Sequence, residues 1–293
     1  MPNLRITKAI KYLLSTFFFF LLLFLLLDYG DLDDKYLFKN SSDNLKKIDS
    51  KNSLNIEFLK VITEIEDNLS GVTYSPKTDT LFAITNAPRF VYELSKKGEI
   101  LRTIELLGFN DTEDITYIED DLFAIVDEEN KTFYVVRIKE NQTSINIFES
   151  IKQVKLDYNY FENFGLEGIT YNKSKDEFYL VNERLPKKVI SVEGLMSGKT
   201  LKIKTLDNLI KNNYYLSDLS AIHFDNIKEE LFLLSDESKI LAMVNQEGDF
   251  ISFFDIKADP YLSKMIHPEG VTTDNDGNIY IVGEPNIFLS LSK

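Results

Sequence analysis

The sequence predicts an all-β fold, a five-bladed propeller closed by its own N-terminal strand and standing behind one transmembrane helix. Three observations predict it. One strand–turn–strand phrase recurs five times. An unmatched strand precedes the first copy. The chain opens with a basic flank and an uninterrupted apolar run.

The N-terminal elements come first. Arg5, Lys8 and Lys11 mark residues 1–11 as a cytoplasmic flank. Residues 12–27, YLLSTFFFFLLLFLLL, carry no charge and are apolar on every face, which suits a signal-anchor or a signal peptide. At about 1.5 Å per residue the run is shorter than a hydrocarbon core of about 30 Å, so flanking residues must complete the crossing, with Lys11 reaching the headgroups. No small-x-small cleavage motif follows Leu27, which favours the uncleaved anchor. Residues 28–50 read as a polar tether. The propeller is expected over 51–293, outside the cytoplasm, on a single-pass cell-membrane protein.

The repeats organise that domain. They are LSGVTYSPKTDTLFAIT, TEDITYIEDDLFAIV, LEGITYNKSKDEFYLV, LSAIHFDNIKEELFLLS and PEGVTTDNDGNIYIV, beginning at Leu69, Thr112, Leu166, Leu219 and Pro268. The spacings are 43, 54, 53 and 49 residues, a period that signifies an array of supersecondary units. The first unit shows four strands rich in Val, Ile, Thr, Phe and Tyr, near Gly71–Tyr74, Leu81–Thr85, Phe90–Leu94 and Ile100–Glu105. Four antiparallel strands with short links make a propeller blade. The last unit has three strands, and Asn55–Ile62 supplies the fourth, which removes an open sheet edge. A six-bladed ring is the alternative, because 145–164 contains strands with no place in the five units. A β-sandwich gives no reason for the recurrence.

Composition narrows the chemistry. The 293-residue chain has a net charge of −14, which argues against nucleic acid as a partner. There is no Cys, which excludes thiolate metal sites and cysteine nucleophiles. The two His residues, His223 and His267, cannot build a three-His metal site.

Acidic residues recur with the repeats. Glu128, Glu183, Glu237 and Glu284 follow the second strand of four units, and Ala87 stands there in the first. One residue earlier are Asn86, Asp127, Asn182, Asp236 and Gly283. Glu113, Glu167 and Glu269 occupy the second position of three phrases. The first strand of a blade lines the channel, and its start shares a rim with the end of the next strand. These seven glutamates are therefore expected to converge. Converging carboxylates repel, and a hard cation removes that cost. Ca²⁺ fits best, with Mg²⁺ the alternative. A solvated acidic rim or a site for a cationic partner would leave the same pattern.

His267, beside Glu269 at this rim, is a candidate general base, and Glu269 a candidate catalytic carboxylate. His223 stands where the four other repeats have Thr and is expected to line the channel. Arg89, Arg184 and Lys187 follow second strands, as solvated rim charges or as contacts to an anionic substrate. DNDGN at 274–278 reads as a hairpin turn, because it lacks the frame of a calcium loop.

The phrases LSGVTYSPKTDTLFAITNAPRFVYEL, GFNDTEDITYIEDDLFAIVDE, GLEGITYNKSKDEFYLVNER, DLSAIHFDNIKEELFLLSDES and HPEGVTTDNDGNIYIVGEPNIF, taken in order, resemble the SdiA-regulated, or YjiK-like, family. The resemblance covers about Leu54 to Leu291. It implies a β-propeller behind an N-terminal membrane segment in a bacterial envelope, and it implies no established activity. More distantly the chain is similar to calcium-dependent propeller hydrolases of the gluconolactonase and phytase kinds. That likeness implies acidic ligands at the channel mouth, and Glu113, Glu167, Glu269 and Glu284 match such positions. Two functions follow as expectations. One is a membrane-tethered module that binds a small molecule or an envelope protein. The other is a calcium-dependent hydrolase of a lactone or phosphoester. A purely structural propeller is the bland alternative.

Overall fold

A computed structural model describes residues 11–22, 54–156, 165–183, 187–213 and 215–292. The chain divides into two units, Met1–Lys47 and Ile48–Lys293. In the first, residues 11–22 are helical, and Tyr12, Leu13, Phe17 and Phe18 are exposed. No helix among the described residues is long and apolar enough to cross a membrane. The rest of the basic flank, residues 23–27 of the apolar run and the tether lie outside the described residues.

The second unit is the five-bladed ring. Strand β1 (Asn55–Val61) comes first in the chain and last in the architecture. The first blade is β2 (Leu69–Ser75), β3 (Thr80–Thr85), β4 (Phe90–Leu94) and β5 (Ile100–Leu107). The second contains β6 (Thr112–Glu119), β7 (Leu122–Asp127) and β8 (Thr132–Arg137). The short β9 (Ser144–Asn146) then crosses back to pair in parallel with β5 as a fifth strand of the first blade. Only β10 (Lys152–Lys155) returns to complete the second blade beside β8. The unassigned strands near 145 therefore edge two existing blades, and the six-bladed alternative falls.

The third blade is β11 (Leu166–Asn172), β12 (Glu177–Asn182), β13 (Lys188–Glu193) and β14 (Lys202–Thr205). The fourth is β15 (Ala221–Asp225), β16 (Glu230–Ser235), β17 (Ile240–Val244) and β18 (Phe250–Asp255). The fifth is β19 (His267–Thr273), β20 (Ile279–Glu284), β21 (Ile287–Ser292) and the returning β1. The first strands β2, β6, β11, β15 and β19 pack side by side around the axis.

Local chemistry makes these hairpins. The turn between the first two strands of a blade needs one residue in the left-handed region. Asp79, Asp120, Asp176 and Glu229 take it in four blades (φ 50° to 58°), and Gly277 takes it in the fifth at φ 82°. Asp tolerates that region better than most residues because its short side chain bonds nearby backbone. At 274–278 the Asp274 carboxylate accepts from the N–H groups of Asp276 and Asn278, so this segment is the expected turn.

Between blades, aromatic and branched side chains interlock. Phe82 of the first blade meets Phe123 of the second at 4.7 Å between ring centres, and Phe133 of the second meets Phe178 of the third at 4.9 Å. Burial of each such ring is worth roughly 1.5–3 kcal/mol, so a blade is stable only between its neighbours.

Closure rests on β1, which runs antiparallel to β21 from Asn55 opposite Ser292 to Val61 opposite Ile287. Leu59 and Phe58 pack on the cores on either side. A chain truncated to begin at residue 62 is expected to expose β21 as an open edge and to aggregate. Size-exclusion chromatography checks this, and a monomeric truncation with an unchanged melting midpoint would contradict it.

Candidate functional site

The acidic mouth arises from a repeated irregularity. In β2, β6, β11 and β19 the ladder to the second strand slips just after the first residue or two. The slipped residues are Ser70, Glu113 with Asp114, Glu167 and Glu269. A bulge of this kind leaves a residue unpaired and re-aims its side chain. The sequence repeat thus puts a carboxylate, or the Ser that replaces it, on the bulge of four blades.

Two groups of possible ligands result. Oxygen atoms of Asp111, Glu113 and Glu128 lie within 4.8 Å of one another. Atoms of Asp236, His267 and Glu269 do the same. Asn86 donates to Glu113 Oε1 at 3.1 Å. Glu167 belongs electrostatically to both groups. Burial first, and then the charges of Glu113, Glu128, Glu183 and Glu269, push its carboxyl well above the ordinary range. A Cβ on Gly165 would lie 2.4 Å from Glu167 Oε1 and 2.8 Å from Glu128 Oε1, so the two carboxylates approach each other beside this glycine.

Of the predicted ligands, Glu113, Glu128, Glu167, Glu183 and Glu269 are brought within mutual electrostatic reach. Glu284 joins them at the edge, raised by burial and by Asp67 and Asp236. Glu237 is in neither group: its N–H is held by the Asp218 carboxylate at 3.1 Å, and the preceding Asp236 takes the place instead. Two further carboxylates, Asp111 and Asp218, escape the sequence pattern. Asp111 stands two residues before Glu113, outside the repeat's fixed positions, where only the folded loop shows its direction. Arg89 donates to the Asn110 carbonyl and Lys187 to that of Leu216, and Arg184 lies outside the described residues.

Burial raises Glu128 to about 7, Glu113 to about 8 and Glu269 to about 9, with neighbouring carboxylates adding to the push. The folded chain therefore keeps these protons after an unfolded chain, titrating near about 4.3, has lost them. Such groups stabilise the fold at low pH, and the contribution is lost as pH rises through the folded values. His223, pushed down to about 4 by burial, acts with the opposite sense below about pH 6.5. The window from about pH 7 to about pH 9 isolates the carboxylates. The melting midpoint of the metal-free chain is expected to fall across that window, and a flat or rising profile would contradict the assignment.

Below the mouth the channel has a waist. Its residues, one per blade, are Gly71, Asp114, Gly168, Ala221 and Gly270. A Cβ on Gly270 would lie 2.9 Å from the Gly71 Cα, and one on Gly71 2.3 Å from Asp114 Oδ1. Neighbouring backbones meet here, and Asp114 alone brings a carboxylate, only 3% exposed. It accepts from its neighbour Ile115 and from Ile169 of the third blade, both at 2.8 Å, and from Val72 of the first. Burial pushes this carboxyl well up, and the three N–H donors oppose that push.

A family model described as SdiA-regulated matches residues 47–292. The chain belongs to the SdiA-regulated family. One solved structure agrees on the architecture. This family member superposes on a luciferin-regenerating enzyme with TM-score 0.51 and 8% identity, over 80% of this chain and 95% of that one. A nidogen/laminin complex gives TM-score 0.46 and 13% identity, over 74% of this chain and 73% of that one. At 8% identity the likeness to the luciferin-regenerating enzyme is one of fold.

Proposed function

We propose that this SdiA-regulated family member is a membrane-anchored, extracytoplasmic binding module that holds a divalent cation at its channel mouth. The observation that carries the reading is Glu167, a carboxylate pressed among Glu113, Glu128, Glu183 and Glu269. After burial, the largest pushes on it come from these four carboxylates. A cation offsets this repulsion, and an irregular ligand set rich in oxygen suits Ca²⁺ before Mg²⁺. Glu113 and Glu128 with Asp111, and Glu269 with Asp236, would supply the oxygens. A small molecule or envelope protein bearing a carboxylate, phosphate or hydroxyl would complete the coordination. The basic flank and the apolar run at 12–27 support the anchor.

Calorimetric titration of the chelator-stripped full chain, in non-ionic detergent, tests the site. Stoichiometric micromolar Ca²⁺ binding, lost in the Glu167→Gln/Glu269→Gln chain, is expected. No heat and no thermal stabilisation by either ion would overturn it. Protease added to intact spheroplasts tests the orientation, and a protected propeller domain would refute it.

One contact favours hydrolysis as a second reading. Asp236 Oδ2 lies 3.1 Å from His267 Nδ1, and Lys239 bonds the other oxygen of the same carboxylate. An Asp that holds Nδ1–H leaves Nε2 basic, able to take a proton from water beside Glu269. The bound cation would supply the polarisation of a lactone or phosphoester oxygen. Chelator-sensitive turnover that falls about a hundredfold in His267→Gln, with calcium binding intact, is the expected sign. Absence of turnover on both ester classes with calcium bound would remove this reading.

A further inference from the structure

On the far side of the Asp114 waist the channel opens into a separate cavity of about 230 Å³. All five blades contribute to it, with Thr73, Thr116, Thr170, His223 and Thr273 on its inner wall. None of the mouth carboxylates lines it. We infer that this chamber binds a small monoanion, a halide or the carboxylate of a small organic acid.

The inference rests on which hydrogen-bonding capacity the fold has already used. The Thr73 hydroxyl accepts the Tyr117 N–H of the next blade at 3.0 Å, and Thr170 accepts that of Phe224 at 2.8 Å. Thr272 closes the series by accepting the Tyr74 N–H at 3.1 Å. In the fourth blade His223 takes the threonine's place, and its Nε2 accepts the Thr273 N–H at 3.2 Å. The same Nε2 lies 2.8 Å from the Thr273 hydroxyl. Each threonine bond between blades consumes an acceptor and leaves a hydroxyl proton. Thr73 and Thr170 line the same small space.

Thr116 is the exception that shows the direction. It is 4% exposed, it lines the cavity, and its hydroxyl has no partner among the described residues. A hydroxyl that has no protein partner and faces a polar cavity finds its partner in the occupant. The occupant must accept several donors at once, which suits an anion better than a neutral alcohol. One layer above, the same convergence of N–H groups already holds the buried Asp114 carboxylate.

The two carboxylates on the cavity's outer wall do not oppose this. Asp225 accepts the N–H groups of Ile227 and Lys228 and pairs with Lys228 Nζ at 3.3 Å. Asp274 accepts from Asp276, Asn278 and the Tyr280 hydroxyl and stands 3.7 Å from Lys96 Nζ. Both serve their own hairpin turns. With the space available, a halide with water or a carboxylate of a few carbons fits.

The test is a bromide titration of the full chain in non-ionic detergent and halide-free buffer at constant ionic strength, read by the bromide NMR linewidth. Saturation at one site per chain is expected, with binding unchanged in the Glu167→Gln/Glu269→Gln chain. Thr116→Val is nearly isosteric and removes no bond to any described residue, so it should fold with an unchanged melting midpoint. It should weaken bromide about tenfold, and Thr116→Ser should restore it. Displacement by acetate would extend the class to carboxylates, and failure to displace would narrow it to halides. Bromide-soaked crystals should show one anomalous peak among Thr73, Thr116, Thr170 and His223. A linewidth that never saturates, a Thr116→Val chain that binds like the parent, or a chamber holding only water would overturn the inference.

Discussion

Changing Glu167 and Glu269 together to Gln is expected to raise the melting midpoint of the metal-free chain at pH 8 by about 6–12 °C, while abolishing stabilisation by calcium. The sign follows from the mouth's electrostatics. Glu269 is held at about 9 and Glu167 well above its ordinary range, burial being the largest cause for both. At pH 8 an unfolded chain has both carboxyls ionised, and the folded chain must either keep the protons or bear the charges. A tenfold change in proton affinity corresponds to about 1.4 kcal/mol, so Glu269 by itself contributes roughly 3 kcal/mol once partial solvent exposure is discounted, and Glu167 acts in the same direction. A domain of this size gains about 2–4 °C per kcal/mol. The parent should recover the deficit on binding calcium, because a ligand at about a hundred times its dissociation constant adds about 2.7 kcal/mol. Scanning calorimetry with and without calcium separates the readings. A double variant less stable than the parent without metal would mean that these carboxylates are structural acceptors, and the metal reading would fall.

The second large effect is expected at the waist. Asp114→Ala should cost about 4 kcal/mol or more, because it strands the N–H groups of Ile115, Ile169 and Val72 in a sealed layer. Asp114→Asn keeps one carbonyl acceptor and should cost much less. The comparison distinguishes lost acceptance from lost charge, since both variants remove the charge. Gly71→Ala should be comparably damaging, because its Cβ would sit 2.6 Å from the Asp114 Cα. Chemical denaturation checks all three. An Asp114→Ala chain within about 1 kcal/mol of the parent would show that three blades are not tied through this side chain.

Blade number, closure and the acidic mouth are legible in the chain because each depends on a local pattern repeated in register. The phrase beginning at Leu69 carries strand alternation, a polar turn and a bulge within one stretch, and four further copies carry the same positions. Ile287–Ser292 is the third strand of the last unit, and Asn55–Val61 pairs with it as the fourth. Glu113, Glu167 and Glu269 fall on one rim because an antiparallel hairpin returns to the end where it began.

What the tertiary structure decided lies where sequence neighbours part. The strand at Ser144–Asn146 leaves its own blade for the preceding one, a choice set by edge pairing with β5. Asp111 and Asp236 enter the two ligand groups, and Glu237 does not, because a one-residue difference after a strand reverses a side chain's direction. Asp114 reads in sequence as one more acidic residue beside Glu113. Only the approach of five backbones to the axis makes it a buried tie among three blades. Comparison with the threonines of the four other repeats places His223 in the channel. The folded ring adds that its Nε2 does the acceptor's work of a threonine oxygen. Sequence by itself determined the repeating unit, the number of its copies and the rim that carries the charge, since these follow from periodicity along one chain. The partners of each polar atom at the axis were decided by the ring alone, because they come from blades separated by about fifty residues.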